Sequence, residues 1–291
     1  MTFEPPTIHL RYGSGAESSE EARRKLAETR RQTASVPSFA EITAKYPDLA
    51  AATSVYAAGS VVLGWGHANS DIDLYVVSEQ ALEIDEKLEA FTRLVSTEDP
   101  VIRIVIAEFG AFRADIELWR ECQIDEVIAR FSTDTPSQES PELDKSEQDM
   151  LYRLSSGSPL HGAAWWEARR DAIHRSGYGL WLAENRKLGS EGYLEDVAGL
   201  LASQDAHTAV LAAREAFVTA LEAVLAVQGD YSVNRKWLYR RCASVQPEEM
   251  SLEDIWTALT MTGAQADPAG WAAQTAEQAQ RLLLSVEGRG L

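Results

Sequence analysis

The sequence is poor in cysteine, in basic charge and in long apolar runs. Only Cys122 and Cys242 occur in 291 residues, which excludes a metal-thiolate cluster and gives no ground for a disulfide. A reducing cytoplasm suits such a chain. Lysine and arginine number 27 against 45 aspartates and glutamates, a formal charge of −18. A surface of that sign repels polyanions unless basic residues are locally concentrated, so a nucleic-acid acceptor is disfavoured and a small, cationic partner fits more readily. No apolar stretch approaches the length of a membrane span, and the N-terminus has no basic region followed by an apolar core, so no membrane association is expected. There is no Walker-type Gly-Lys-Ser/Thr, no Gly-x-Ser-x-Gly elbow and no internal repeat. Gly64-Trp65-Gly66 lacks the strand-to-helix setting and the distant acid of a dinucleotide fingerprint.

What is present is an α+β pattern in a chain long enough for two domains. Residues 16–33 are dense in Glu, Arg, Lys and Ala and read as a charged helix, part of an N-terminal appendage over 1–36. A short helix over 38–44 ends near Tyr46-Pro47. A small-residue strand over 53–58 runs into Gly59-Ser60, a second short helix over 61–65 follows, and an apolar strand spans 72–77. Leu82, Leu88, Phe91 and Leu94 recur at helical spacing and predict a helix over 81–95 covering one sheet face. A hairpin over 101–107 and 111–119 turns at Gly110, and a helix over 123–131 completes a unit assigned to 37–132. The Ser/Thr/Pro/Asp/Gln-rich stretch at 132–140 places a linker at 133–143. From 144 to 291 the pattern is helical, with helices predicted over 145–154, 163–175, 178–184, 192–202, 206–227, 234–242, 252–262 and 273–286.

The chemistry-bearing residues lie in the first unit. In the strand at 72–77, Asp71 and Asp73 are two positions apart and project to one side, roughly 6–7 Å apart along the backbone. Two carboxylates so placed can hold a divalent cation, although a lone Asp-x-Asp is more often a solvated strand entry. Two companions strengthen the functional reading. Upstream, Gly59-Ser60 forms a sharp turn whose amides and hydroxyl can approach phosphate oxygens. Downstream, Arg113-Ala114-Asp115-Ile116-Glu117-Leu118-Trp119 alternates as a strand with two acids on one face.

The run Ala57-Ala58-Gly59-Ser60 through Ser70-Asp71-Ile72-Asp73-Leu74, with the later strand acids, resembles the nucleotidyltransferase superfamily related to DNA polymerase beta. The resemblance covers residues 53–119 and is most like the small-molecule, aminoglycoside-type branch. It implies a small mixed β-sheet nucleotidyltransferase domain with flanking helices, followed by an all-α bundle. It also implies transfer of a nucleoside monophosphate from a nucleoside triphosphate to a hydroxylated small molecule, with pyrophosphate leaving. Asp71 and Asp73 would hold the Mg²⁺ that accompanies the triphosphate. A third carboxylate, Asp115 or Glu117, would help to hold a second Mg²⁺ and take the acceptor proton, with Asp115 favoured by the Arg-Ala-Asp-Ile pattern. Gly59, Ser60 and Ser70 would contact the triphosphate, with ATP first among donors. Lysines of C-terminal helices reach the triphosphate in similar enzymes, which singles out Lys236 among Arg235, Lys236, Arg240 and Arg241; a solvated face is the competing reading. A homodimer with composite sites is also compatible with the resemblance.

Three features carry blander expectations. Asp205 reads as the N-cap of the helix over 206–227, with acceptor binding a minority reading. Trp165, Trp166 and Trp181 read as packing. His67, before the acids, carries no specific role. Two further functions remain open: a toxin-like or regulatory enzyme modifying a protein or a tRNA end, and a degenerate fold that binds nucleotide or a partner without turnover.

Overall fold

A computed structural model of the chain describes residues 36–67, 70–82, 90–110, 112–132 and 141–288. The charged segment 16–33 and most of the linker at 133–143 lie outside the described residues. The chain enters through α1 (Phe39–Lys45), opened by a capping box in which Ser38 and Glu41 satisfy each other's backbone amides. It stops at Tyr46 because Pro47 cannot continue an α-helix, and Pro47 instead begins a 3-10 turn, Pro47–Ala51.

The sheet is built from β1 (Ser54–Ala58), β2 (Ile72–Ser78), β3 (Ala90–Leu94), β4 (Val101–Phe109), β5 (Phe112–Arg120) and β6 (Ser158–His161). Their spatial order is β3-β4-β5-β2-β1-β6. All neighbours are antiparallel except β2 and β5, which run parallel at the centre. A four-residue helix, α2 (Gly59–Val62), links β1 to the turn before β2.

The sheet departs from the sequence periodicity at two strands. Residues 90–94 form β3 rather than the end of a helix, because Ala90–Leu94 pairs residue by residue with Val105–Val101. Five residues fit either period, and the ladder decides. The segment after the linker also supplies a strand, β6, which the sequence pattern did not reveal. Gly162 makes its docking possible, since a Cβ there would lie 2.0 Å from the Thr53 carbonyl oxygen.

Alternation along the strands gives the sheet two different faces. One carries Val55, Ala57, Ile72, Leu74, Val76, Ala114 and Ile116 and buries them against Ile42 and Leu49. The other carries Tyr56, Ala58, Tyr75, Val77 and Trp119, which join a core continuous with the later helices. These helices are α3 (Glu121–Ala129), α4 (Lys145–Ser156), α5 (Ala163–Arg175), α6 (Tyr178–Ala202), α7 (Ala206–Val227), α8 (Leu238–Val245), α9 (Leu252–Leu259) and α10 (Pro268–Glu287). Every residue of α7 from Ala216 to Ala226 is buried, so α7 is the central helix, packed between α6 and α10.

α6 is a single helix of 25 residues where two had been expected over 178–184 and 192–202. Its four glycines do not break it: Gly192 and Gly199 stand in open space, while Gly189 lies at a helix contact. A Cβ on Gly189 would touch Thr219 at 3.4 Å, and the adjacent Ser190 hydroxyl donates to the Ala216 carbonyl at 2.9 Å. The tryptophans serve packing: Trp166 is buried, Trp165 donates to Glu121 at 2.8 Å, and Trp181 packs on Tyr178 and Phe131.

Candidate active site

The acids stand on the sheet face that the helices cover, at its open end. Asp73, Tyr75 and Val77 share this face on β2, while Asp115, Glu117 and Trp119 share it on β5. The parallel register sets Asp73 beside Asp115 and Tyr75 beside Glu117. Neighbouring strands lie about 4.8 Å apart, so the first pair forms two adjacent carboxylates on rigid backbone. Asp71 precedes β2 and is exposed.

Gly59 has a specific geometric reason to be glycine. It follows Ala58, the residue paired with Asp73 across the β1–β2 ladder, and has φ of 79°. A Cβ built on it would lie 1.9 Å from Asp73 Oδ2. Glycine is required there because a carboxylate oxygen occupies the space a side chain would need. Ser60 anchors the following turn through its carbonyl, which accepts from the amides of Trp65 and Gly66, each at 2.8 Å. Ser70 closes the loop with His67: its hydroxyl accepts from the His67 amide at 2.9 Å, and its own amide donates to the His67 carbonyl at 2.8 Å.

Sequence reasoning missed Arg153, on α4. Its Nη1 donates to the Tyr75 hydroxyl at 2.9 Å and lies 3.1 Å from Asp73 Oδ1 and 3.6 Å from Glu117 Oε1. Glu117 Oε2 also accepts from Trp119 Nε1 at 3.0 Å, and Glu117 is only 7% exposed. Glu117 is thus held from both sides. Asp115 is a third exposed and, among the described residues, pairs with Arg113 at 3.0 Å at the surface. The one signal for Arg153 in the sequence is its position three residues after Met150 and next to Leu154, both inward-facing on α4.

Burial, with help from Glu117, Asp115 and Asp71, pushes the Asp73 carboxyl up to about 6, and Arg153 opposes the shift. For Arg153, burial works against the charge, but Tyr75, Asp73 and Glu117 outweigh it, so the guanidinium stays protonated.

The basic segment flagged near residue 236 does reach this region. Arg240 donates to the Trp65 carbonyl at 3.3 Å, and Trp237 packs on Trp65 with centroids 5.9 Å apart. Exposed Lys236 lies over the Trp237 ring at 4.7 Å. Its neighbours have other tasks: Arg235 binds Glu222 and Glu215, and Arg241 is buried against Asp230. Asp205 caps α7, accepting from the Thr208 amide at 3.2 Å.

No protein-family model matches the chain, and no curated protein matches it. Among solved structures, it is similar to a nucleotidyltransferase-like protein from Exiguobacterium sibiricum 255-15, with 9% identity, 87% of this chain and 76% of that chain covered, and a TM-score of 0.43. A likeness this distant carries no functional weight, and the chemistry rests on the residues.

The donor set suits a hard divalent cation in one particular way. Among the described residues, no three of His, Cys, Asp and Glu converge as a ready-made metal cage. Mg²⁺ rarely uses such a cage: it binds through one or two carboxylates and completes its shell with water and substrate phosphates. Asp73 and Asp115, side by side with exposed Asp71 nearby, fit that pattern. Two cavities lie elsewhere. One of about 210 Å³ borders Ser78, Arg103 and Arg120, and one of about 580 Å³ borders Glu248, Asp254 and Arg281. No described helix is long and apolar enough to cross a membrane.

Proposed function

We propose that the protein is a Mg²⁺-dependent nucleotidyltransferase, moving a nucleoside monophosphate from a nucleoside triphosphate to a hydroxyl of a small molecule. The observation that carries this reading is the Asp73–Asp115 pair in parallel register, with Asp73 packed against the Gly59 turn. Residues 37–132 would carry the chemistry and 144–291 would shape the acceptor pocket, in a cytoplasmic enzyme.

Asp71, Asp73 and Asp115 would hold the cation, which neutralises charge on the phosphate oxygens and polarises the α-phosphorus. The turn at Gly59 and Ser60 would admit the triphosphate tail, and Lys236 would offset its charge as pyrophosphate departs. Asp115 would accept the proton of the acceptor hydroxyl, because it is the exposed carboxylate beside Asp73, whereas Glu117 is held by Arg153 and Trp119. The new bond joins the acceptor oxygen to the α-phosphorus, and the bond from that phosphorus to the bridging oxygen of pyrophosphate breaks. The charge of −18 favours a cationic acceptor of aminoglycoside type, and ATP is the first donor to test.

Calorimetric titration of the four nucleoside triphosphates with Mg²⁺ tests the reading on wild type and on an Asp71→Ala/Asp73→Ala variant. Metal-dependent binding of one nucleotide, lost in the variant, is expected; equal binding by both proteins would sink it. The immobilised Glu117 favours a second reading, a nucleotide-binding module without turnover. Pyrophosphate release that vanishes in Asp73→Ala would exclude that alternative.

A further inference from the structure

Arg153 Nη1 is surrounded by three oxygens, the Tyr75 hydroxyl, Asp73 Oδ1 and Glu117 Oε1, at 2.9, 3.1 and 3.6 Å. An array of oxygens from a phenol and two carboxylates is the environment a divalent cation would otherwise occupy. The guanidinium is three-quarters buried, and its ring-facing side lies 5.7 Å from the Tyr75 centroid. Tyr75 in turn is stacked on Tyr56 at 5.0 Å. The helix bearing Arg153 is fixed by backbone contact as well: a Cβ on Gly157, one turn later, would lie 2.7 Å from the Arg153 carbonyl oxygen and 2.8 Å from that of Ala57 on β1. Arg153 is therefore built in rather than a mobile surface cation resting on the acids.

We propose that Arg153 takes the place of one of the two metal ions of a two-metal phosphoryl-transfer site, leaving room for a single divalent cation per nucleotide. This deepens the nucleotidyl-transfer reading above and rests on it. Two-metal sites place their ions about 3.5–4 Å apart and need carboxylate oxygens for both. Here Glu117 is spent on Arg153 and Trp119, and Asp73 has given Oδ1 to Arg153. What remains is Asp73 Oδ2, which faces the Gly59 turn, with exposed Asp71 and with Asp115, whose partner Arg113 is a half-exposed surface side chain at 3.0 Å. A planar guanidinium that stays charged at every working pH supplies fixed positive charge with no need of metal.

The test counts ions rather than turnover. Free Mn²⁺ is measured by its electron paramagnetic resonance signal during titration of the full-length protein with the non-hydrolysable α,β-methylene analogues of the four nucleoside triphosphates, the nucleotide held below the protein concentration. Asp73→Asn serves as the blank for Mn²⁺ carried by nucleotide alone. Wild type is expected to take up one Mn²⁺ per nucleotide. Arg153→Met, which frees the three oxygens, is expected to take up twice as many, and Arg153→Lys is expected to return the count to one. Two ions in wild type would overturn the proposal and leave the nucleotidyltransferase reading standing. No uptake above the Asp73→Asn blank would overturn both. The wild-type count decides the matter even if Arg153→Met does not fold.

Discussion

At the scale of single residues, the metal-binding role proposed for Asp73 comes with a stability cost. Its carboxyl sits at about 6 against an ordinary 3.8, so between these values the folded protein binds more protons than the unfolded chain. Stability therefore falls as pH rises through this window, by about 3 kcal/mol for two pKa units, and the cost is complete above pH 6. Asp73→Asn is expected to be more stable than wild type by on the order of 1–3 kcal/mol at pH 7.5 and equal to it near pH 4, by urea denaturation at both pH values. An advantage independent of pH would contradict the burial argument. Cation affinity should run the other way and rise through pH 6 as Asp73 ionises. Gly59 offers a second, independent check. Gly59→Ala is expected to abolish nucleotide binding and to cost on the order of 1–3 kcal/mol, because its Cβ meets Asp73 in a backbone region that disfavours side chains. Gly64 has similar φ, 69°, but nothing within 4 Å of a Cβ. Gly64→Ala should cost about 1 kcal/mol and bind nucleotide normally in the same titration.

Elements show where local pattern suffices and where it fails. Three helix starts, at Phe39, Lys145 and Ala206, were legible to within a residue, and their caps are local: Ser38 with Glu41, Asp144 with Glu147 and Asp205 with Thr208 each lie within three residues; the last helix starts at Pro268, five residues before the expected 273. Asp205→Ala is thus expected to lower the melting temperature slightly and to leave acceptor KM unchanged, whereas a raised KM would restore an acceptor-binding role. β3 and β6 were not legible. Ala90–Leu94 is exposed along its whole length and takes its conformation from the β4 ladder rather than from its own burial. β6 is four residues long, contains Pro159, and exists because β1 presents a free edge that Gly162 lets it approach. The two halves of α6 could be joined only once Ser190 and Gly189 were seen against α7.

At the scale of the whole molecule, one core runs from Tyr56, Tyr75 and Trp119 on the sheet to Phe217 and Leu221 on α7 and Leu282 on α10. Glu222 lies near its edge, 2% exposed, between Arg186, Arg235 and Arg241. Removing that charge leaves buried Arg241 with Asp230 as its carboxylate partner, so Glu222→Gln is expected to destabilise by about 1–3 kcal/mol. Because the core is shared, tryptophan fluorescence and far-ultraviolet circular dichroism should report coincident unfolding in both proteins; two separate transitions would show that the sheet and the helices unfold independently. Sequence alone determined the chemical inventory. Alternation in two strands places Asp73, Asp115 and Glu117 on defined faces, and a glycine-serine turn precedes them, because strand periodicity and turn chemistry are properties of adjacent residues. Only the tertiary structure decided which acids meet and what holds them. The parallel register sets Asp73 beside Asp115, and Arg153 arrives on a helix 78 residues along the chain from Tyr75. Such long-range pairings follow from how the faces pack, and no local pattern encodes them.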